Sequence, residues 1–547
     1  MLLINKMCLY FHTLKHLKFI QFANRVKRKL VKIDVEVKDI ASVRIPSETW
    51  NYFELQSSSY IKHYRYRFLN QSGDIGNWND INQSKLWLYN LHYFNDLNAF
   101  ESNERKIHHE ALILKWIDEN PPLSGNGWEP YPQSLRIVNW IKFFLSKGEP
   151  SQKMIDSLYQ QTYVLSQNLE YHLLGNHLFA NAKALIFAGC YFEGEVAKQW
   201  LDKGLAILDK ELPEQILNDG ANFELSPMYH NIILSDLLDL VNISQTYRLK
   251  CFEERVGIWE DFVNIMLDFS NGMTHPDGEV SFFNDSAMGI APKYSTLYNY
   301  ALSLNIKNNK DEELENKLGY TIKRFKESGY ISVESKVAKF ILDICNIGPD
   351  YIPGHGHADT LSFEASFYGQ RVFVNSGTSL YGITQERQRQ RETASHNTVE
   401  VNGLDSSEVW GGFRVAQRAY PNLCDLNSEN DNLIISGIHD GYSRLKHKVF
   451  HKRTWTIGSS TVTIKDTLIG SYNSAKAYLY IHPNISVKED DGRVILELPT
   501  KELLFVSSDS HILVENSTWH PEFGLTLDNK RLVFDILGSN ICVDIDF

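Results

Sequence analysis

The chain has 547 residues, of which 43% are hydrophobic and 22% are charged, and its formal net charge at pH 7 is -12. The length predicts at least two domains, and the composition excludes the disordered and fibrous classes of protein. The net negative charge argues against nucleic-acid binding, which needs a basic face. It does not exclude a polyanionic sugar that binds in a locally positive cleft.

The amino-terminal arm is strongly basic. Residues 1–33 contain eight Lys and Arg residues and no Asp or Glu. The arm lacks the compact apolar core and small-residue cleavage site of a secretory signal, so we expect a cytoplasmic protein, with the periplasm or cell envelope as the alternative. A basic amphipathic helix here would make peripheral contact with an anionic membrane surface or a partner. A solvated helix packed on the body is the other interpretation.

Cysteine spacing and hydropathy add two expectations. No segment reaches the roughly 20 uninterrupted apolar residues that a membrane-spanning helix needs. The six cysteines are scattered, without the paired spacing of a metal site or the density of a disulfide framework, which favours reduced thiols. These residues are Cys8, Cys190, Cys251, Cys345, Cys424 and Cys542.

Residues 85–328 are predicted to form an (α/α) toroid. Apolar residues recur there at helical spacing, with Ile137, Trp140, Ile141 and Phe144 on one helix face. Ser226-Pro227 supplies an N-cap followed by proline at the first helical position. Short turns rich in Gly and Pro separate these segments, and successive helices with short connections indicate a helical array.

Residues 329–547 are predicted to form an antiparallel β-sandwich, and residues 1–84 a basic arm and lead-in segment. Alternating apolar runs follow one another at close spacing beyond residue 329, with Gly, Asn, Asp and Ser turns between them. No Gly-rich phosphate loop or alternation of strands with helices competes with this interpretation. The runs are 361–367, 372–374, 398–401, 461–464, 477–481 and 494–498.

Two polar motifs lie in the helical half. Asn176 and His177 stand in a run otherwise built of Leu, Phe and Ala, and buried polar side chains need partners. Tyr229 follows Ser226-Pro227 in the first turn of a helix, where backbone N–H groups favour negative charge. That position would lower the pKa of the phenol from its usual value of about 10. A core tyrosine with its hydroxyl bonded to a neighbour is the alternative.

A third motif, Gly354-His355-Gly356-His357-Ala358-Asp359, leads into a strand. In an extended segment, residues two apart face the same side, so His355 and His357 are expected to converge on one site. With Asn375 and His396 downstream they resemble a metal-ligand set, although purely hydrogen-bonding histidines are the alternative. Three arginines follow on alternating positions: Arg387, Arg389 and Arg391. They form either a cluster that binds carboxylates or sulfates or part of a solvated loop.

These motifs, in this order, resemble the heparinase II/III family, and most closely its heparinase III-like polysaccharide lyases. The resemblance runs from about Leu86 to the end of the chain. Its segments are Trp87–Phe94, Trp128–Pro132, Leu135–Trp140, Gly175–His177, Glu224–Tyr229, Gly354–Asp359 and Ser395–Gly403.

The resemblance implies a fold and a reaction. The fold is the toroid followed by the sandwich, and the reaction is β-elimination in a uronic-acid-containing acidic polysaccharide. By match of motif, Asn176 would neutralise the uronate carboxylate, Tyr229 would act as base or acid, and His355 would be its partner. This agrees with the chemistry, since the developing enolate-like charge must be stabilised and a base and an acid must reach C5–H and O4. The expected substrate-binding residues are Arg136, Asn139, His177, Glu224 and Arg391.

The resemblance also implies a structural, zinc-like divalent metal at His357, Asn375 and His396. Here the sequence departs from the family, because Asn375 stands where members commonly carry Asp. A neutral amide is a weaker ligand for a divalent cation than a carboxylate.

Two rival functions stay open at this point. A glycoside hydrolase on the same toroid would use a pair of carboxylates such as Glu224 and Asp285 and would need no Tyr–His pair. A non-catalytic protein that binds or assembles surface polysaccharide would keep the fold without turnover. The identity of the polysaccharide, endo or exo action and the oligomeric state are not predicted by the sequence.

Overall fold

The computed structural model describes residues 2–37, 41–306, 314–315 and 319–547. Twelve α-helices lie within these ranges, and all but the last end before residue 304. They are α1 (Leu2–Leu14), α2 (Phe19–Leu30), α3 (Lys85–Tyr93), α4 (Lys106–Glu119), α5 (Pro130–Lys147), α6 (Gln152–Gln167), α7 (Gly175–Tyr191), α8 (Glu195–Gln215), α9 (Pro227–Tyr247), α10 (Val256–Gly272), α11 (Tyr294–Ser303) and α12 (Gln385–Arg391).

The helices from α3 to α11 form an incomplete toroid. Helices α3, α5, α7, α9 and α11 pack side by side as an inner row, and α6, α8 and α10 pack outside it. The predicted apolar face of α5 is buried, with Ile137, Trp140 and Ile141 inaccessible to solvent. This confirms the predicted helical architecture, in which a buried stripe on each helix supplies the core.

The strands belong to a small lead-in sheet, to a large carboxy-terminal sandwich and to a separate two-stranded sheet, β11-β12 (Val409–Trp410 and Arg414–Val415). The lead-in strands are β1 (Tyr60–Lys62), β2 (Arg65–Phe68) and β3 (Gln71–Asp74). The others are β4 (Leu314–Glu315), β5 (Thr321–Arg324), β6 (Tyr330–Glu334), β7 (Ala338–Asp343), β8 (Phe363–Phe367), β9 (Gln370–Phe373), β10 (Val399–Val401), β11 (Val409–Trp410), β12 (Arg414–Val415), β13 (Pro421–Glu429), β14 (Asn432–His439), β15 (Phe450–Ile457), β16 (Thr461–Ile469), β17 (Ala475–Ile481), β18 (Ser486–Asp490), β19 (Arg493–Glu497), β20 (Leu503–Ser508), β21 (Ile512–Trp519), β22 (Leu527–Asp535) and β23 (Asn540–Asp546).

Two antiparallel sheets make the sandwich, as predicted. One has the order β21-β22-β17-β9-β8-β7-β6-β5-β4, with β10 also paired to β17, and the other has the order β13-β14-β15-β16-β23-β20-β19-β18. Their inner faces share one apolar core, as expected for aligned sheets. Strand β5 already pairs with β6, so the sheet begins before the predicted domain boundary at residue 329.

None of the helices in the described parts of the chain combines the length and the apolar character needed to cross a bilayer. The arginine run that the sequence left open as a loop or a binding cluster is helix α12. Its Arg387 and Arg391 side chains are buried, so α12 is part of the interior and not a solvated segment.

Candidate active site

Helix α9 begins at the site, and its first turn is fixed as predicted. The Ser226 hydroxyl accepts a hydrogen bond from the Tyr229 backbone N–H, and Pro227 occupies the first helical position. Ser226 also donates to the Asp285 carbonyl at 2.6 Å. The cap therefore joins the start of α9 to the loop that carries Asp285, and it sets the direction of the Tyr229 side chain.

The loops that lead into the site have unusual backbone conformations. Leu225 has φ of 59° and Leu174 has φ of 67°, values that are uncommon for residues other than glycine. Gly175 has φ of 54°, and a Cβ there would come within 3.0 Å of Glu224 Oε1 and 2.8 Å of Ile352 Cδ1. Strained conformations of this kind concentrate at functional sites, and glycine is required at position 175.

His355 and His357 converge, as the sequence predicts, and their shared partner is Asp285. His355 Nδ1 lies 2.9 Å from Asp285 Oδ2, and His357 Nε2 lies 2.9 Å from Asp285 Oδ1. Arg387 makes a two-pronged ion pair with the same carboxylate, with Nη2 at 2.7 Å from Oδ2. Burial alone would raise the pKa of Asp285, but Arg387 and the imidazoles outweigh it and hold the pKa well below its usual range.

Glu224 connects the other nitrogen of His355 to helix α7. Its Oε2 lies 3.5 Å from His355 Nε2, and its Oε1 accepts the Asn176 backbone N–H at 3.4 Å. Burial raises the pKa of Glu224. The Asn176 side chain is almost fully buried, and its amide makes no hydrogen bond to the residues that the structure describes, so that amide is available to a ligand.

Tyr229 and His355 are in direct contact across the two halves. Their ring centroids are 4.0 Å apart, and the Tyr229 hydroxyl lies 3.0 Å from the hydroxyl of Tyr381. Burial, followed by the nearby Tyr381, raises the pKa of Tyr229 well above its usual value. The predicted lowering of this pKa by the helix terminus is therefore wrong, because desolvation of the phenolate outweighs the helix dipole.

Tyr381 and Arg387 are site residues to which the sequence analysis gave no role of their own. The Arg387 guanidinium lies over the Tyr381 ring, 5.0 Å from its centroid, so one arginine both holds Asp285 and supports the tyrosine. The alternating arginines of the sequence indicated a binding cluster, but only the fold shows which of them reaches the site.

A cavity of about 240 Å³ opens against this group of residues. Its lining includes Tyr229, Tyr381, Tyr131 and Asn139 but neither Asn176 nor His355. The Tyr229 and Tyr381 phenols thus face this cavity directly.

The predicted substrate-binding residues divide into two groups. Glu224 lies at the site, Asn139 lines the cavity, and His177 packs against Tyr131 with Nδ1 at 3.2 Å from Glu170. Arg136 does not reach the site, because its buried guanidinium binds Gln161 and stacks on Trp116 in the helical core. Arg391 is likewise held by backbone carbonyls.

Arg391 nevertheless has a structural function near the site. Its Nε and Nη2 atoms donate to the Gly356 carbonyl at 3.1 and 2.8 Å. The carbonyl lies between the two histidines, so Arg391 fixes the histidine loop and is not exposed to bind a sugar.

The predicted metal ligands come together only in part. His357 Nδ1 faces His396 Nε2 at 3.1 Å, and burial lowers the pKa of His357 to about 4. Asn375 instead donates to the Phe282 carbonyl and accepts the Asn397 backbone N–H. No group of three His, Cys, Asp or Glu residues in the described ranges is arranged to hold a metal. Because the Asn375 amide is bound to backbone groups on both of its polar atoms, we derive no step through a metal, and a metal at these three residues stays a prediction.

The hydrolase alternative is not supported by this geometry. Glu224 and Asp285 lie on opposite nitrogens of the same imidazole, whereas a hydrolase needs a sugar between its two carboxyl groups. Asp285 is also fully engaged by Arg387, His355 and His357, so it is not available to attack or to transfer a proton.

Fold and site together define a two-domain protein with a helical toroid, an antiparallel sandwich and a buried Tyr–His contact between them. The Heparinase II/III N-terminus model matches residues 6–311, and the Heparinase II/III-like C-terminal model matches residues 318–540. The chain therefore belongs to the heparinase II/III family, as the motifs indicate.

Curated relatives carry the name heparin-sulfate lyase. The relative from Bacteroides stercoris is 27% identical over 313 residues, which cover 55% of this chain and 45% of the relative. The relative from Pedobacter heparinus is 25% identical over 362 residues, which cover 61% of this chain and 52% of the relative. The chain thus spans about half the length of the curated relatives it matches.

Solved structures share the fold. A structure of heparinase III aligns with a TM-score of 0.68 at 18% identity, covering 86% of this chain and 79% of that chain. Heparan sulfate lyase HepC from Pedobacter heparinus aligns with a TM-score of 0.58 at 18% identity, covering 88% and 81%. At these identities the likeness shows the architecture alone.

Proposed function

We propose that this protein is a polysaccharide lyase that cleaves a uronic-acid-containing acidic polysaccharide by β-elimination. The observation that carries the proposal is the contact between Tyr229 and His355, with Glu224 linking His355 to Asn176. The proposal requires that one sugar ring meets all three groups. The names of the curated relatives, heparin-sulfate lyases, support the same class of reaction and substrate.

In this mechanism Asn176 binds the uronate carboxylate. Removal of the C5 proton places charge on that carboxylate, and a neutral donor amide in a water-poor site stabilises the charge more strongly than water does. Asn176 suits this task because its amide has no partner among the described residues and its backbone is fixed by Glu224.

His355 is the proposed base and Tyr229 the proposed acid. Asp285 accepts a hydrogen bond from Nδ1–H of His355, which leaves Nε2 with a lone pair that takes the C5 proton. Glu224 lies 3.5 Å from Nε2 and stabilises the imidazolium. Tyr229 is a neutral phenol, so it has a proton to give to the departing O4, and Tyr381 orients its hydroxyl.

A screen of acidic polysaccharides tests the reaction class. Elimination leaves a conjugated double bond, so new ultraviolet absorbance should rise in proportion to new chain ends. Asn176→Ala should lower the rate by about 10²–10³-fold, the usual effect of removing one charge-stabilising donor. New chain ends without absorbance would indicate hydrolysis, and neither signal on any polymer would favour the non-catalytic alternative.

We further propose that the amino-terminal arm binds an anionic membrane surface. On α2, Phe19, Val26 and Leu30 are 85%, 60% and 77% exposed. The helix contacts the body on another side, through the buried Gln21, whose amide lies 3.4 Å from the Leu173 carbonyl. An outward apolar stripe beside Lys and Arg residues is typical of helices that lie in the membrane interface.

Vesicle sedimentation tests this contact. The protein should bind vesicles that contain anionic phosphatidylglycerol and not vesicles of neutral phosphatidylcholine, and salt should weaken the binding. The triple variant Phe19→Ser, Val26→Ser, Leu30→Ser should bind at least tenfold less. The matched control changes three exposed residues elsewhere, Ile81→Ser, Ile107→Ser and Leu537→Ser (94%, 84% and 90% exposed). Equal losses in both variants would contradict the proposal.

A further inference from the structure

The turn of the β11–β12 hairpin reaches the candidate active site. In this turn, the Phe413 ring centroid lies 6.4 Å from that of His355 and 5.2 Å from that of Tyr381. The neighbouring Gly412 carbonyl accepts a hydrogen bond from Arg387 Nε at 3.2 Å. The turn therefore contacts the proposed base, the phenol that orients the proposed acid, and the arginine that holds the buried carboxylate between the two histidines.

The hairpin is too short to hold this position by itself. Its strands have two residues each and form a separate sheet, and an isolated two-stranded hairpin is at best marginally stable in water. Its turn includes Gly411 and Gly412, with φ of 58° and 80°, and glycine restricts the backbone less than any other residue. The position of Phe413 therefore depends on the groups that pack against the two faces of the hairpin.

The inner face of the hairpin rests on the histidine loop, residues 354–359. Val409 and Val415 are paired across the two strands, and both are buried in a small apolar cluster with Ala358 of that loop. Two side chains of α12 also donate hydrogen bonds to hairpin carbonyls, at 2.9 and 3.3 Å. A shift of the hairpin would therefore move the loop that carries both histidines or break these contacts.

Helix α1 of the amino-terminal arm packs on the outer face of the hairpin. Tyr10 meets Trp410 edge to face, with 4.9 Å between the ring centroids. The Thr13 hydroxyl accepts a hydrogen bond from Trp410 Nε1 at 3.1 Å and lies 3.2 Å from the Val415 carbonyl oxygen. The Arg414 guanidinium lies over both rings, 5.8 Å from the centroid of Tyr10 and 4.9 Å from that of Trp410. Because side chains alternate along a strand, this face is opposite to the one on the histidine loop.

The arm is also anchored to the helical half. Lys18, at the start of α2, forms an ion pair with Glu214 near the end of α8. The Gln21 amide lies 3.4 Å from the carbonyl oxygen of Leu173, three residues before Asn176. The arm therefore joins the loop that precedes the proposed carboxylate-binding amide to the hairpin that covers the proposed base.

We propose that Trp410 and Phe413 are positioning residues for the elimination reaction and that Tyr10 and Thr13 of the arm hold them in place. The inference rests on the proposed lyase function, because it gives the packing on His355 a role in that reaction. The base must lie within hydrogen-bond reach of the proton it takes, and a misplacement of about 1 Å costs about 10²-fold in rate. The hairpin acts on this geometry and not on sugar affinity, so release of the hairpin from α1 should lower kcat and leave KM nearly unchanged.

Steady-state kinetics on a polymer that gives absorbance separate these two effects. Trp410→Ala should lower kcat at least tenfold and change KM less than twofold, whereas Trp410→Phe, which keeps a ring against Tyr10, should stay within threefold of the unaltered protein. Thr13→Val should lower kcat at least threefold. The matched control Thr461→Val, which removes an exposed bond to Asp546 at 2.7 Å, should not. Thermal melts verify that all variants fold. A raised KM with unchanged kcat, or full activity in Trp410→Ala, would overturn the inference.

A double variant tests whether Trp410 acts through Phe413. Trp410→Ala combined with Phe413→Ala should lose no more than threefold in kcat beyond Phe413→Ala alone, since the effects of residues that act as a unit are not additive. Independent effects would multiply instead. A loss equal to the product of the two single losses would therefore overturn the connection between the two residues.

Hydrogen–deuterium exchange tests the arm contact without turnover. Tyr10→Ala should speed amide exchange of residues 354–359 and 409–415 at least tenfold and leave strands β14 to β16 unchanged, because local opening depends on local packing. The matched control Tyr64→Ala, at a tyrosine of similar exposure in the lead-in sheet (36% against 39% for Tyr10), should change neither segment. Unchanged exchange in Tyr10→Ala would overturn the inference. Absence of absorbance with every polymer would count against the proposed reaction alone, so the two failures are distinguishable.

Discussion

Two buried charge clusters in this molecule differ in how they are assembled. The interface cluster, Asp285 with His355, His357 and Arg387, joins loops and a helix that are far apart in the sequence and come from both domains. The floor cluster, Lys142, Lys183, Asp236, Asp239 and Tyr300, comes from neighbouring inner helices of the toroid alone.

The difference explains what each cluster does. The interface cluster holds one carboxylate with three partners and thereby orients the imidazole of His355 toward Glu224. The floor cluster has two carboxylates, Asp236 and Asp239, and Lys183 binds both of them, so each carboxylate keeps a cation when Lys142 is lost. Loss of one member should therefore be severe at the interface and milder in the floor.

The largest loss of stability is expected for Asp285→Asn. The change leaves the buried Arg387 guanidinium without a counter-charge, and breaking a buried pair in this way costs about 3–5 kcal/mol of the free energy of unfolding. Denaturant unfolding measures the change. The control is Asp490→Asn, because its exposed ion pair with Arg493 should contribute less than about 1 kcal/mol. Similar losses in the two variants would contradict the prediction that the interface cluster contributes more to stability than an exposed pair.

A smaller loss is expected for Lys142→Met. Methionine keeps most of the apolar stem, and Lys183 and Tyr300 continue to bind Asp239, so the cost should be about 1–3 kcal/mol. The same unfolding measurement checks it. A loss as large as that of Asp285→Asn would contradict the redundancy of the floor cluster.

The smallest effect is expected from metal removal. His357 and His396 face each other, whereas Asn375 is bound to backbone groups. Chelator treatment should therefore shift the melting temperature by less than about 2 °C. For a large domain this shift corresponds to less than about 1 kcal/mol of the free energy of unfolding. Elemental analysis before and after treatment completes the test. Stoichiometric zinc whose removal destabilises the protein would show that the two imidazoles recruit a further ligand.

Features that depend on local sequence were predicted well. The N-cap at Ser226, the buried face of α5 and the convergence of His355 with His357 follow from capping and periodicity. These rules act over a few residues, so a single sequence contains the information they need.

Features that depend on the assembled interior were missed or assigned differently. Arg136 and Arg391 are bound inside the protein, and only burial reveals that they cannot meet a sugar. Tyr381 reaches Tyr229 through a fold-dependent contact. The pKa of Tyr229 rises because desolvation exceeds the local helix dipole, and desolvation is a property of the packed domain interface.

The most direct test compares two tyrosine variants of the same helix. Tyr229→Phe should lower unsaturated-product formation by about 10²–10⁴-fold, the usual worth of a proton-transferring group, with little change in melting temperature. Tyr247→Phe removes a buried hydroxyl that has no hydrogen-bond partner among the described residues and should keep full activity. Full activity in Tyr229→Phe, on a substrate that the unaltered protein cleaves with a rise in absorbance, would contradict the proposed mechanism.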